Sequence, residues 1–403
     1  MLRFRLAACC LAMLTAGSAF AQSEVKVGLI TPLSGPWARS GDLARKGAEL
    51  AIEDINKAGG IKALGGAKMR LIVADTGETP EKAKNAAQRL LANEPELAGG
   101  SGSEISSFTL AVTEVTERAD LPWLTLAYAD LLTNRGFKHV FQTSPTADQQ
   151  ASAAMPAILD LAQSATGKKP EKMAMIMDNT PSPASFAKAV RADALEKFKL
   201  SIAADEIFSP PLSDASAIAQ KVRAARPDFL VFLPTAASDI KMVLEKLNEI
   251  GLPRTRLPVV SNGAPMGSPD LLKVVGKDAM EGVMFIAAGW GFKGLEEFMQ
   301  RFKQATGEPY LTQDSLSNYG HMWILKEAIE QAGSADRRKV SEALHKMDLT
   351  DGPARFFPGH RIKFDEKGRR VGAPLLIMQW QKGEPVTVYP PEAAFAQPVW
   401  SKQ

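Results

Sequence analysis

The chain beyond its first twenty residues alternates between short apolar runs and longer stretches in which apolar residues recur every three or four positions. The runs Val25–Ile30 and Met69–Ala74 have the composition of buried strands, and Gly41–Ala58 has the spacing of a helix packed on one face. A second helix is predicted over Pro80–Leu91, with Thr79 as its N-cap. This β-α-β-α order predicts a parallel sheet with helices on both faces.

A second series of the same kind starts at Met173–Met177. Two such series in about 380 residues exceed one ordinary domain and predict an α/β protein with two doubly wound lobes. Near the C-terminus, Arg361–Phe364 and Leu375–Trp380 are predicted to form a hairpin around Asp365–Gly368. The elements of the second series are helices over Ser185–Phe198 and Ala215–Ala225, and strands over Ala203–Phe208, Phe229–Leu233 and Val259–Val260.

The N-terminus has the pattern of an export signal. Arg3 and Arg5 precede an apolar stretch from Leu6 to Leu14, and small residues then lead to Ala19-Phe20-Ala21, an A-x-A cleavage pattern. The stretch is too short to span a bilayer. We therefore predict a cleaved signal peptide over 1–21 and a mature protein located in the periplasm.

The cysteines and the charge exclude several classes of function. Both cysteines, Cys9 and Cys10, lie in the predicted signal, so a thiol nucleophile or a cysteine metal site is not expected. An alternative is a lipoprotein box over Leu6–Cys9, which would leave almost no apolar region before the cysteine. The mature chain has 46 basic and 45 acidic residues, a formal charge of +1. This balance argues against nucleic acid or an anionic membrane as the main partner.

One motif suggests a nucleotide enzyme. Gly289-Trp290-Gly291-Phe292-Lys293-Gly294 matches G-x-G-x-x-G between a predicted strand, Val283–Ala288, and a predicted helix, Leu295–Ala305. The acidic residue expected about twenty positions later would be Asp314, which lies in a polar stretch with no further β/α units predicted after it. The alternative is a glycine-rich hinge between lobes, and it is favoured.

No other catalytic or metal pattern is visible. The four histidines, at positions 139, 321, 345 and 360, have no paired metal spacing. Gly99–Ser103 does not match G-x-S-x-G, the pattern of a nucleophile elbow. We therefore expect no enzyme activity, no cofactor and no metal.

What remains is a set of polar loops at the ends of predicted strands. Ligands of open parallel sheets bind beyond the carboxyl ends of the strands, and small or hydroxylated residues let the backbone approach them. Turn and cap formation is the competing explanation for any single residue of this set. The loops are Leu33–Ser40, Gly100–Ser107, Ala127–Asp130, Asp178–Ser185, Pro234–Asp239 and Ser261–Met266.

Two of these segments resemble a known family. Val27–Gly35 and Gly47–Ile61, with its Gly-Gly-Ile ending, are similar to the opening strand, loop and helix of the leucine/isoleucine/valine-binding proteins of ABC importers. The resemblance implies a periplasmic binding protein of type I, with two Rossmann-like lobes joined by three crossovers and a ligand cleft between them. Such a protein captures a small solute and delivers it to a membrane permease. A sensor that reports to a separate receptor is the alternative.

The resemblance also implies lobe boundaries. Lobe one would comprise 22–142 and 288–363, and lobe two would comprise 143–287 and 364–403.

Site residues follow from the resemblance by position. A ligand carboxylate would be held by Ser106 and Ser107 and by the loop containing Ala127 and Ala129, where backbone N–H groups would replace the hydroxyl usual in the family.

Lobe two usually contributes a tyrosine after its first strand, and the loop with Asp178 and Thr180 has none. The family's acidic partner for an ammonium group is also missing beside Asn262 and Gly263. A buried ammonium without a carboxylate would cost several kcal/mol. An α-amino acid is therefore disfavoured, unless Asp148, Asp178 or Asp239 substitutes.

Three aromatic residues, Trp37, Tyr128 and Trp290, could instead form walls for a flat ligand, although core packing explains Trp290 at least as well. The expected ligand is a small carboxylate, aromatic or not, or an amide, with an amino acid less favoured. The predicted ligand-binding residues are Trp37, Ser106, Ser107, Ala127, Tyr128, Ala129, Asp178, Thr180, Thr235, Asn262 and Gly263.

Overall fold

The computed structural model describes residues 24–252 and 257–400. The predicted signal peptide, 1–21, lies outside the described residues. In the described residues, five parallel strands form a first sheet in the order β2-β1-β3-β4-β5. Its strands are β1 Glu24–Thr31, β2 Lys68–Asp75, β3 Gly99–Gly102, β4 Trp123–Thr125 and β5 Val140–Gln142, and its helices are α1 Ala38–Lys57, α2 Pro80–Asn93, α3 Ser106–Arg118 and α4 Leu131–Asn134.

The first elements agree closely with the sequence pattern. Strand β1 lies inside the sheet, and Val27 and Leu29 are fully buried on it. The predicted N-cap is present, because the Thr79 side chain accepts a hydrogen bond from the Lys82 N–H at the start of α2. Strong periodicity and a clear cap made these elements predictable.

Strand β3 was not predicted, since its sequence is Gly-Gly-Ser-Gly. It lies in the middle of the sheet between β1 and β4. A Cβ on Gly100 would come within 2.3 Å of the Trp123 ring, so the indole occupies the space that a side chain would need. The expected loop over Gly100–Ser107 therefore begins as strand, over Gly100–Gly102, and ends in helix α3 from Ser106, so that only 103–105 form the connection at the end of the sheet.

The second sheet has seven strands in the described residues, in the order β14-β13-β10-β9-β8-β6-β7. Strands β6 to β10 are parallel, and β13 and β14 are antiparallel additions at one edge. Its elements in chain order are α5 Ala147–Thr166, β6 Lys172–Asp178, α6 Pro181–Asp193, β7 Ser201–Phe208, α7 Ser216–Ala225, β8 Phe229–Leu233, α8 Ala237–Glu249, β9 Val259–Asn262, α9 Leu271–Val275, α10 Lys277–Met280 and β10 Met284–Ala287, followed later by β13 Leu376–Gln381 and β14 Glu384–Tyr389.

Between β10 and β13 the chain forms three helices and two short strands, which are α11 Glu296–Thr306, α12 Gln313–Ala332, α13 Arg337–Lys346, β11 Asp348–Leu349 and β12 Ile362–Lys363. A short hairpin does form around Asp365–Gly368, where Phe364 pairs antiparallel with Arg370, but the predicted pairing of Arg361–Phe364 with Leu375–Trp380 is wrong. Strand β12 pairs with β11, whereas β13 pairs with β14 around Lys382-Gly383. A tight turn over 365–368 is present, but the strands that follow and precede it belong to different sheets.

The polar stretch around Asp314, which was not predicted to form a secondary-structure element, belongs to helix α12. It is buried on most of its surface, including Asp314, Ser315 and Asn318, so it lacks the one-sided apolar stripe that reveals a helix in a sequence. It packs closely on α1, where a Cβ on Gly47 would lie 2.0 Å from the Ser315 carbonyl oxygen. The polar residues of this segment are therefore interior residues.

The G-x-G-x-x-G motif connects β10 to α11. Trp290 packs against Phe285 with ring centroids 5.1 Å apart, and a Cβ on Gly291 would come within 2.6 Å of Met299. Helix α11 then packs on α12 through Phe298 and Tyr319. Gly291 therefore makes room for the Met299 side chain, and the segment runs from the second sheet to the helices on the first. Among residues 24–252 and 257–400, no helix combines the length and apolarity needed to cross a membrane.

Candidate functional site

A cavity lies where the carboxyl ends of the strands of both sheets face each other. Its empty space, counted together with the opening to solvent, is about 590 Å³, and small-molecule sites are concave clefts of this kind. All six predicted loops contribute to it. Its lining consists of Ser40, Glu104, Ile105, Ser106, Leu126, Ala127 and Tyr128, of Thr180, Ser182, Pro183, Leu233, Pro234 and Thr235, of Asn262, Gly263, Ala264 and Pro265, and of Gln313 and Asp314.

The structure brings together at this cavity seven of the eleven residues predicted from the sequence. They are Ser106, Ala127, Tyr128, Thr180, Thr235, Asn262 and Gly263. The other four, Trp37, Ser107, Ala129 and Asp178, lie outside the lining, and three of them contact residues that form it.

Ser106 begins α3 and is 5 % exposed. Its Oγ accepts a hydrogen bond from the Ala129 N–H at 3.2 Å, so Ala129 positions Ser106 instead of meeting the ligand. The expected backbone donor at Ala127 is engaged with Thr125 Oγ1 at 3.0 Å. The hydroxyl of Ser106 and the uncapped N-terminus of α3 are thus the groups on this wall that suit an anion.

Asp178 organises the wall formed by the second sheet. Its carboxylate accepts hydrogen bonds from the N–H and hydroxyl of Thr180 and from the N–H and hydroxyl of Thr235. With four donors already bound, Asp178 holds two cavity loops together and is not available as the partner of a ligand ammonium group.

Trp37 joins the two halves of the protein. Its indole N–H donates to the Thr235 carbonyl oxygen at 3.0 Å, and its ring packs edge-on against Phe108 at 5.3 Å. A second contact of this kind is the ion pair between Arg39 of α1 and Asp270, with a shortest distance of 3.1 Å. Trp37 therefore bridges the two halves and, contrary to the prediction, does not belong to the lining of the cavity.

Tyr128 is an aromatic wall of the cavity, as predicted, and its hydroxyl is fixed by a hydrogen bond to Gln313 Oε1. The same amide oxygen accepts the Ala288 N–H at 2.8 Å. Gln313 thus connects the start of α12 to the end of β10. Trp290, the third aromatic considered, is a core residue beside Phe285.

Two acidic residues of the lining, Glu104 and Asp314, were not predicted from the sequence. Glu104 lies in a predicted loop that is rich in small and hydroxyl residues, and Asp314 lies on helix α12, which was not predicted. The Glu104 Oε2 accepts from the Thr31 hydroxyl at 2.9 Å, and its Oε1 accepts from Asn318 Nδ2 at 3.0 Å. Asp314 is 3 % exposed, and the Ser40 hydroxyl lies beside its carboxyl.

Burial raises the pKa of Glu104 to about 7, although its two hydrogen bonds oppose the shift. Burial, reinforced by the charge of Glu104, also raises the pKa of Asp314 well above its ordinary value. No lysine, arginine or histidine belongs to the cavity lining in the described part of the chain.

A buried hydrogen-bonded chain supports Glu104 from behind. His321 contacts Thr143 Oγ1 through Nε2 at 2.7 Å and Ser101 Oγ through Nδ1 at 2.6 Å. Ser101 donates to Asn318 Oδ1, and Asn318 donates to Glu104. Burial lowers the pKa of His321 to about 3, so the ring stays neutral. The chain runs from the segment after β5 to the cavity, and the Thr143 hydroxyl also donates to the Thr125 carbonyl oxygen at 3.2 Å.

Comparison with known proteins identifies the family. The model of the family described as "Periplasmic binding protein" matches residues 24–385. The chain belongs to this family. The Leu/Ile/Val-binding protein homolog 7 of Brucella melitensis is 30 % identical over 96 % of both chains, and homolog 8 of the same organism is 28 % identical over 93 % of both.

Solved structures share the fold at lower identity. LivJ, a branched-chain amino acid transporter substrate-binding protein of Streptococcus pneumoniae in complex with isoleucine, superposes with a TM-score of 0.76 at 19 % identity, covering 91 % of this chain and all of that one. An ABC transporter solute-binding protein of R. palustris in complex with benzoate gives 0.75 at 16 %, covering 94 % and 99 %. Family membership confirms the prediction of a periplasmic solute-binding component of an ABC importer and not an enzyme.

Proposed function

We propose that this protein captures a small carboxylate-bearing solute in the cavity between its two sheets and delivers it to the membrane permease of an ABC importer. The observation that carries the proposal is the position of the cavity, which takes its lining from the strand ends of both sheets. A solute bound there contacts both halves at once. It would therefore favour the closed arrangement, because it makes contacts with both halves there and with only one half in an open arrangement.

The lobes that move are those expected from the sequence, 22–142 with 288–363 and 143–287 with 364–403. Support comes from the packing of α12 on α1 and β3, and from the pairing of β13 with β10. The glycine-rich segment 289–294 is the proposed hinge, together with the connections after β5 and before β13.

The carboxylate is assigned to the Ser106 end of α3. The Ser106 Oγ accepts from Ala129, which leaves its proton free to donate, and the helix N-terminus favours a negative group. The N-terminus of α6, with Ser182 in the lining, acts from the opposite wall. The ligands named for the two structural neighbours, isoleucine and benzoate, have a carboxylate in common.

A thermal-shift panel of amino acids, aromatic acids and amides tests this function, since a ligand that binds the native state raises Tm. At least one carboxylate of the panel should stabilise the wild type, and Ser106→Ala should weaken its binding by about 1–3 kcal/mol. Ser182→Trp should abolish the shift, because an indole would fill the cavity. Equal shifts in Ser182→Trp and wild type would place the ligand elsewhere and refute the proposal.

A further inference from the structure

A buried glutamine contacts the cavity wall of the second sheet from outside. Gln150 lies in the first turn of α5, is fully buried, and does not belong to the cavity lining. Its Nε2 donates to the Pro145 carbonyl oxygen at 2.9 Å, and its Oε1 accepts from Asn262 Nδ2 at 2.7 Å. Asn262 ends β9 and lines the cavity. Gln150 therefore connects the segment after β5 to a residue that a solute can meet.

The Pro145 carbonyl group fixes the orientation of both amides. A carbonyl oxygen can only accept a hydrogen bond, so the Gln150 amide turns its NH2 group to Pro145 and its oxygen to Asn262. Asn262 must then donate through Nδ2, since its Oδ1 in the same place would face another acceptor. In the described part of the chain, Asn262 Oδ1 has no hydrogen-bond partner, and Asn262 is half-buried. That oxygen is the acceptor which this side chain presents to the cavity.

The other end of this chain of hydrogen bonds is held by the wall of the first sheet. Pro145 lies in the connection between β5 and α5, and the N–H of Ala147 at the start of α5 donates to the Tyr128 carbonyl oxygen at 2.8 Å. Tyr128 lines the cavity from the first sheet. The orientation of Asn262 is thus set from a connection between the two halves that is itself bonded to the opposite wall.

The Gln150 amide has two separable effects. Its bond to Pro145 satisfies a carbonyl oxygen and contributes to stability, as does the neighbouring bond of the capping-box type from the Thr146 N–H to Gln149 Oε1 at 3.0 Å. Its bond to Asn262 instead selects one of two orientations of a side chain that have the same shape and opposite polarity. Only the second effect changes which solutes the cavity accepts.

Resting on the proposed solute capture, we propose that Gln150 is a positioning residue that fixes Asn262 as an acceptor, so that the cavity selects carboxylates with a hydroxyl or amide donor facing this wall. An amide oxygen that loses water on closure without gaining a donor weakens binding, which penalises a solute lacking the donor. In the described residues, the lining contributed by the second sheet has no charged side chain, and Asp148, Asp178 and Asp239 lie outside it. A neutral donor therefore matches this acceptor.

Pairs of probes that differ by one hydroxyl group measure this selectivity. They are benzoate with 3- and 4-hydroxybenzoate, 4-methylpentanoate with 2-hydroxy-4-methylpentanoate, and 3-phenylpropanoate with 3-(4-hydroxyphenyl)propanoate. Calorimetry gives the Kd of each probe, and the hydroxyl preference is the Kd of the parent divided by the Kd of the hydroxylated member. The wild type should prefer at least one hydroxylated member by about tenfold or more.

Variants locate the effect. Gln150→Met should lower the hydroxyl preference by about fivefold or more and leave the affinity for the parent within about twofold, because Asn262 can then turn its NH2 group to the cavity. Asn262→Leu, which removes the acceptor, should abolish the preference. In that background Gln150→Met should not change the preference further, since it acts only through Asn262. Gln150→Glu keeps an oxygen opposite Asn262 Nδ2 and should retain the preference even where Tm falls.

Gln149→Met is the matched control. It is the same substitution one position earlier in α5, and it removes the bond to Thr146 without touching Asn262. It should lower Tm and keep the wild-type hydroxyl preference. Tm verifies that each variant is folded.

The outcomes separate a failure of this role from a failure of solute capture. If no hydroxylated probe binds more tightly than its parent, or if Gln150→Met keeps the wild-type preference, the positioning role is refuted, and solute capture stands as long as Ser182→Trp blocks binding. If Gln150→Met does not fold, loss of the preference in Gln150→Glu or its retention in Asn262→Leu refutes the role. If no carboxylate binds the wild type, or if Ser182→Trp binds as the wild type does, solute capture itself is refuted.

Discussion

The contact between Trp37 and Thr235 gives a quantitative test of cleft closure. The indole N–H donates to a carbonyl oxygen of the other sheet's loop, while the ring packs on Phe108 of its own side. Trp37→Phe keeps most of the ring packing and deletes only the donor. One half-buried hydrogen bond contributes about 0.5–1.5 kcal/mol, which corresponds to a loss of affinity of about 2- to 13-fold.

Under the proposed closure, the bond forms as the two halves meet and breaks before the solute leaves, so the loss should appear in the dissociation rate. Stopped-flow measurement of solute binding should show faster dissociation in Trp37→Phe with an association rate within about twofold of wild type. The Tm of the ligand-free variant should change less than that of the ligand-bound one. An unchanged dissociation rate, or an effect confined to association, would refute the role of Trp37 in closure.

Three further predictions concern stability. Gly47→Ala places a Cβ 2.0 Å from the Ser315 carbonyl oxygen, so urea unfolding should show a loss of about 1–3 kcal/mol despite the better helix propensity of alanine. Glu308→Gln removes a buried carboxylate from a network in which Arg39 keeps Asp42 and Asp270 and Lys46 keeps Asp42, so it should cost about 1 kcal/mol in the same assay, less than breaking an isolated buried pair would. The raised pKa of Glu104 means that the folded state retains this proton, so the stability of the ligand-free protein should fall from pH 5 to 7.5. This fall should be smaller in Glu104→Gln.

The sequence predicted the elements whose burial follows a regular period. Strand β1 and helices α1 and α2 have apolar positions at strand or helix spacing, and their boundaries were found to within a few residues. Two successive β/α series also identified the two-sheet architecture. The ligand loops followed from the rule that such sites lie at the carboxyl ends of strands.

What the sequence could not reveal depends on tertiary contacts. Strand β3 is Gly-Gly-Ser-Gly because Leu325, Trp123 and the Ile30 carbonyl oxygen occupy the space where side chains on its three glycines would lie, and no local pattern reports that. Helix α12 begins with polar residues that are buried, and most of its surface is covered, so the one-sided apolar pattern of a surface helix is lost. Glu104 and Asp314 are 210 positions apart and belong to these two regions, which is why the charged part of the site was missed.

A crystal structure of the protein with the tightest-binding carboxylate of the thermal-shift panel tests the central claim most directly. The account predicts density for the ligand in the cavity between the two sheets, with its carboxylate within about 3 Å of Ser106 Oγ. Density at any other surface, or a carboxylate that faces away from Ser106, would contradict it.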